Sequence, residues 1–189
     1  MNLTERVKAI LLKPRQEWQT IAGESTSIGE LYKGYVMILA AIGPVASLIG
    51  MSIVGFGPFR LPIGMSIASG IVHYILTLVG VYILALIIDG LAPTFSGQKN
   101  INQAFKVAAY SYTPGWVVGI VFLIPALSPL GILGLYGLYL FYLGLPVLMK
   151  SPKEKSLGYT VTVIVAAFIL FVLIGWISRA FISYPVRLR

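Results

Sequence analysis

Polar and apolar positions in this chain are sorted into blocks rather than interleaved. The charged residues leave four uncharged runs: Gly34 to Phe59 (26 residues), Leu61 to Ile88 (28), Val107 to Met149 (43) and Ser156 to Ser178 (23). A bilayer-crossing helix needs roughly 20 apolar residues at ~1.5 Å rise each. The 26-, 28- and 23-residue runs each predict one span. The 43-residue run would make a rod of about 65 Å against a ~30 Å hydrocarbon core, so it must fold into two, with Pro125-Ala-Leu-Ser-Pro129 as the turn. The expected fold is all-α: a polytopic membrane protein with a five-helix transmembrane domain over residues 34–178. Its spans fall at about 34–56, 62–88, 104–124, 129–149 and 157–178.

Residues 1–33 read differently. Leu3, Val7, Ile10 and Leu11 share one helical face, with Glu5, Arg6 and Lys8 elsewhere on the wheel. Pro14 stops that helix and starts another carrying Trp18 and Ile21 towards Gly23. The expectation is an N-terminal amphipathic interfacial helix, or a tether across the cytoplasmic end of the bundle. Lys13-Pro14-Arg15 interrupts the early apolar stretch, so no secretory signal is expected. Residues 179–189 form a short basic tail.

Composition narrows the class. Of 189 residues 58% are apolar and 11% charged, and the mean hydropathy is +0.90. About 25% charge is usual for a soluble domain, and disordered chains are poor in apolar residues, so both are excluded. The absence of cysteine removes disulfides, thiolate nucleophiles and cysteine-ligated metals. The net charge of +8 is unevenly placed. With five spans, one side holds Arg6, Lys8, Lys13, Arg15, Lys33, Lys99, Lys106, Lys150, Lys153 and Lys155; the other holds Arg60, Arg179, Arg187 and Arg189. The positive-inside rule puts the richer side, with the N-terminus, in the cytoplasm and the C-terminus outside. The bilayer and its anionic headgroups are the expected partners, and no nucleic acid is.

Catalytic chemistry finds little to work with. The single His73 and the single Asp89 stand about 24 Å apart on one helix, too far for a triad. Gly64-Met-Ser66-Ile-Ala68 lacks the last glycine of a nucleophile elbow. Ser69 and His73 at i, i+4 admit a dyad or a packing face, and no oxyanion hole accompanies them. One histidine without cysteine does not make a zinc site. No enzyme, metal or cofactor is expected.

Polar residues at membrane depth are the candidate site. The second span carries a stripe of Ser66, Ser69, Gly70, His73, Thr77 and Gly80, and the third carries Tyr110-Ser111-Tyr112-Thr113-Pro114. Pro114 cannot donate to the Tyr110 carbonyl, so a kink is expected there. Antiparallel packing would set it against Ser69, His73 and Thr77. Asp89 ends the second helix, where an anion needs a basic partner, and Lys106 or Lys153 is on the correct side. Gly115-Trp-Val-Val-Gly119 predicts a close helix contact, within the bundle or between copies. Asn100 and Gln103 have the spacing of a capping box.

Pro14-Arg-Gln-Glu-Trp18, Glu30-Leu-Tyr32 and Ala109-Tyr-Ser-Tyr-Thr-Pro114 together resemble the YIP family. Glu30, Lys33-Gly34 and Ala109 stand where its signature has Asp, Gly-Pro and Gly. The resemblance implies a five-span protein of the short bacterial type, placed in the inner membrane. The eukaryotic members interact with Rab GTPases and with one another, so a protein at the cytoplasmic face and a second copy of the chain are candidate partners. The leading expectation is a non-enzymatic membrane organiser or adaptor acting through helix packing and a basic cytoplasmic surface. The competing one is a small-solute or ion transporter using the polar site between spans two and three.

Overall fold

The computed structural model describes residues 2–181; they are nearly all helical, with no strand among them. Helix α1 (Leu3–Leu12) starts at a capping box, in which the Asn2 side chain accepts from the Thr4 N–H and Glu5 accepts from the Asn2 N–H. Lys13 leaves helical geometry, and Pro14 opens α2 (Pro14–Gly23) where its missing N–H costs nothing. The apolar face of this hairpin is turned into the bundle: Ile10, Trp18 and Ile21 are fully buried.

Ser27 and Glu30 form a second capping box and start a long rod. It runs through α3 (Ile28–Leu31), a π-helical turn Tyr32–Val36, α4 (Met37–Ala40), α5 (Ile42–Ile49) and a second π turn Gly50–Val54. A π turn inserts one residue per turn, and the first one carries Tyr35 and Val36 into the core. A tight turn with an antiparallel bridge between Phe56 and Phe59 follows, its Gly55 and Gly57 at positive φ. Helix α6 (Ile63–Leu91) continues into a 3₁₀ turn, Ala92–Phe95.

The third uncharged run does not give two straight spans. Helix α7 (Ile101–Ser111) breaks at Tyr112, and α8 (Thr113–Val118) begins with Pro114 in its first turn. A 3₁₀ segment Gly119–Leu123 follows. The reversal falls at Ile124, whose backbone is extended; Pro125 opens an eleven-residue 3₁₀ stretch to Leu135, and Pro129 lies inside it. Proline fixes φ near the helical value, so Pro125 suits a helix start better than the middle of a turn. Helix α9 (Tyr136–Leu148) continues that stretch, and the 3₁₀ turn Lys153–Lys155 opens α10 (Ser156–Phe181). The basic tail expected at 179–189 lies, from residue 182, outside the described residues.

Among the described residues three helical stretches are long and apolar enough to cross a bilayer: Ile28–Val54, Ile63–Phe95 and Pro125–Leu148. Ile67, Ile71, Ile75, Val79 and Leu86 form an exposed stripe along α6. Such a stripe is a liability in water and ordinary against lipid. The core is centred on α7, where every residue from Ala104 to Ser111 is buried. Ala104, Ala108 and Ala109 let α6 and α9 approach this helix closely.

Candidate functional site: a charged knot at the N-terminal end of the bundle

The first element is Arg6, on the inward face of α1 and 6% exposed. Its guanidinium pairs with both Glu17 of α2 and Glu24 just beyond α2. It also lies over the Tyr110 ring, 5.6 Å from the centroid. Burial opposes its charge, but Tyr110, Glu24 and Glu17 outweigh that and hold its pKa above the ordinary arginine value.

Lys106, 2% exposed, comes up from α7 beneath the same place. Its ammonium donates to the Ile21 carbonyl at 3.3 Å and to the Glu24 carbonyl. Those carbonyls belong to the C-terminal end of α2, where a cation offsets the helix dipole. Gln103, one turn earlier, donates to Ala22 O at 3.3 Å. Asn100 does cap α7, accepting from the Gln103 N–H at 3.1 Å, but the Gln103 side chain reaches across to α2 instead of back.

Aromatic rings close the other side. Tyr35, from the π turn, shares a 2.7 Å hydrogen bond with Thr113 and packs edge-on against Tyr110, with centroids 4.8 Å apart. Trp18 meets Tyr110 at 6.1 Å and 82°. A polar cavity of about 660 Å³ opens beside the knot, lined by Arg6, Glu24, Glu30, Tyr35 and Tyr110 among others. The three segments that carry the family resemblance thus converge: Glu17 and Trp18, Glu30 beside Tyr35, and Tyr110 with Thr113.

The other sequence candidates are distributed differently. Ser69 and His73 line a separate cavity of about 380 Å³ with Ser47, Ser66 and Phe122, facing α5 and not α7. Thr77 donates to the His73 carbonyl of its own helix at 2.8 Å. Ser111 is 7% exposed and its hydroxyl finds no partner among the described residues; it lines an apolar cavity of about 250 Å³ between α6, α8, α9 and α10. The single polar site expected from Ser69, His73, Thr77, Tyr110, Ser111, Thr113 and Pro114 is therefore split three ways. The physical reason is rotation about the helix axes: the break at Tyr112 turns Thr113 to Tyr35, while Ser66, Ser69 and His73 of α6 face the first rod.

The expected ion pair of Asp89 with Lys106 or Lys153 is not formed among the described residues. Lys106 is taken by the end of α2, and one Asp89 carboxylate oxygen is buried with no partner among the described residues. Of the two glycines expected at a close contact, Gly119 sits at one, whereas a Cβ on Gly115 would meet nothing within 4 Å. A Cβ on Gly119 would come within 3.0 Å of the Gly43 Cα, and one on Gly134 within 3.2 Å of the Gly115 Cα. Sequence reading missed Arg6, Glu17, Glu24, Tyr35 and the role of Trp18. Helical spacing carried no signal for them, because Arg6 and Glu17 read as polar residues flanking the apolar faces of their helices.

Long apolar helices, an exposed aliphatic stripe and an end tied by buried charge define a helical integral membrane protein. This chain belongs to the Yip1-domain family, whose model matches residues 8–175. Over 172 residues it is 28% identical to the inner membrane protein YohC of Escherichia coli K12, covering 86% of this chain and 88% of that one. YohC of the O6:H1 strain gives the same values. No solved structure matches.

Proposed function

We propose that this protein is a non-enzymatic membrane organiser or adaptor of the inner membrane, with five spans, a cytoplasmic N-terminal face and an external C-terminus. The observation that carries the reading is the knot itself. Arg6 closes the α1–α2 hairpin onto Glu17 and Glu24, Gln103 and Lys106 of α7 tie its end to the bundle, and Trp18 packs against Tyr110. A fixed hairpin presents Lys8, Lys13 and Arg15, all exposed, as one constant basic surface. Rigid display suits recognition of a partner or a membrane surface. The name of the relative YohC supports the inner membrane as the location.

A second reading, small-solute or ion transport, draws on the His73 cavity between α5 and α6. Purified protein in liposomes, assayed for flux of protons, monovalent ions and small metabolites, separates the two. The organiser reading expects flux no greater than in empty vesicles. Flux that His73→Ala abolishes would replace it with transport.

A further inference from the structure

On the outer side of α2, opposite the knot, lies a cavity of about 390 Å³ between that helix, the last two turns of α9 and the start of α10. Its polar rim holds Arg15 and Lys153, both exposed and without a carboxylate partner among the described residues. Its floor is apolar, made by Leu143, Pro146 and Val147 of α9. The wall between rim and floor is Trp18.

Trp18 supplies the second observation. Its side chain is 0% exposed, yet the indole Nε1–H has no hydrogen-bond acceptor among the described residues. A buried indole donor normally finds one. The indole edge next to that nitrogen lies on α9, where a Cβ on Gly144 would come within 2.7 Å of the ring. The unused donor therefore belongs to the same α2–α9 seam as the two free cations. No acidic side chain lines this cavity.

We propose that this seam is a specific binding site for an anionic phospholipid. Arg15, Lys153 and the Trp18 N–H hold its phosphodiester, and one acyl chain runs down Leu143, Pro146 and Val147. Placement favours a lipid over a soluble anion. The floor residues form the last turns of the apolar stretch Pro125–Leu148, and the cations stand just past its end, at headgroup height. A soluble phosphate would use the rim and leave the floor bare. The inference needs the membrane reading but not the organiser role, so the flux assay leaves it standing either way.

The test uses the full-length protein in detergent, with dioleoyl phosphatidylglycerol or dioleoyl phosphatidylcholine added and retained lipid counted by native mass spectrometry. Preferential retention of one phosphatidylglycerol is expected. The double variant R15Q/K153Q should lower its occupancy roughly tenfold, to the phosphatidylcholine level. The double variant K99Q/K150Q, which removes the same charge from two other exposed lysines, should retain it. W18F removes the donor together with the pyrrole half of the indole; the cavity left should lower the melting temperature, and occupancy counted on the folded protein should fall as well. Unchanged occupancy in R15Q/K153Q or W18F overturns the proposal. Equal loss in K99Q/K150Q overturns it in favour of a diffuse surface field. Displacement of the lipid by millimolar inorganic phosphate overturns the lipid as ligand.

Discussion

At Arg6 one guanidinium neutralises two carboxylates, and water reaches mainly the Glu24 side, whose side chain is 29% exposed against 10% for Glu17. Removing one partner from a buried ion pair leaves an uncompensated charge, which costs about 3–5 kcal/mol. Arg6→Ala should therefore lose about that much stability, read by chemical denaturation in detergent. Glu24→Gln should lose much less, about 1 kcal/mol, because the freed charge density is partly solvated. The raised pKa fixes the sign with pH. A cation with a raised folded pKa contributes fully below its unfolded value and loses that contribution only as pH rises past the folded one. For arginine that window lies far above neutrality, so alkali up to pH ~10 should not loosen the hairpin through this group. Equal losses from Arg6→Ala and Glu24→Gln would contradict the geometry.

Among the elements, close packing rests on glycines at which a side chain has no room. A Cβ on Gly50 would fall 2.0 Å from the Phe122 carbonyl oxygen, and one on Gly137 would fall 2.4 Å from that of Ser111. Both neighbours are backbone, which cannot swing aside, so Gly50→Ala and Gly137→Ala should disrupt the bundle. Gly64 and Gly90, also helical, have nothing within 4 Å of the same position. Alanine there should be neutral or stabilise by up to about 1 kcal/mol through helix propensity. Thermal melts of the four variants give the comparison. The long elements were legible in the sequence because bilayer thickness sets a length that uncharged runs must match. The ends were legible too: Asn100, Pro14 and Gly23 stand where caps and stops belong. The internal breaks were less so. Pro125 and Pro129 read as a turn, whereas the chain reverses one residue earlier and uses both in the following helix. Rotation about an axis leaves no mark in spacing, and so the α6 stripe could be found while its partner could not.

For the whole molecule, the basic residues set a side. Fusions of a compartment-sensitive reporter after Lys99 or Lys153 should report cytoplasm, and fusions after Arg189 the exterior. A cytoplasmic C-terminus would mean that residues 107–149 cross the bilayer other than twice. The knot was beyond the sequence for a related reason. Arg6, Glu17 and Glu24 are common surface residues on a short basic arm, and amphipathic spacing states that a face is apolar without naming what covers it. The family segments were recognisable singly; that Trp18, Tyr35 and Tyr110 meet is a property of the folded chain alone. The docked hairpin also sets an order in time. Trp18 leaves the ribosome early, but Gly144, the surface it rests on, is made 126 residues later. At roughly 5–20 residues per second that interval is about 6–25 s. The α1–α2 hairpin is thus made well before the α9 surface it rests on, and until then its greasy face must be carried by lipid or by a chaperone.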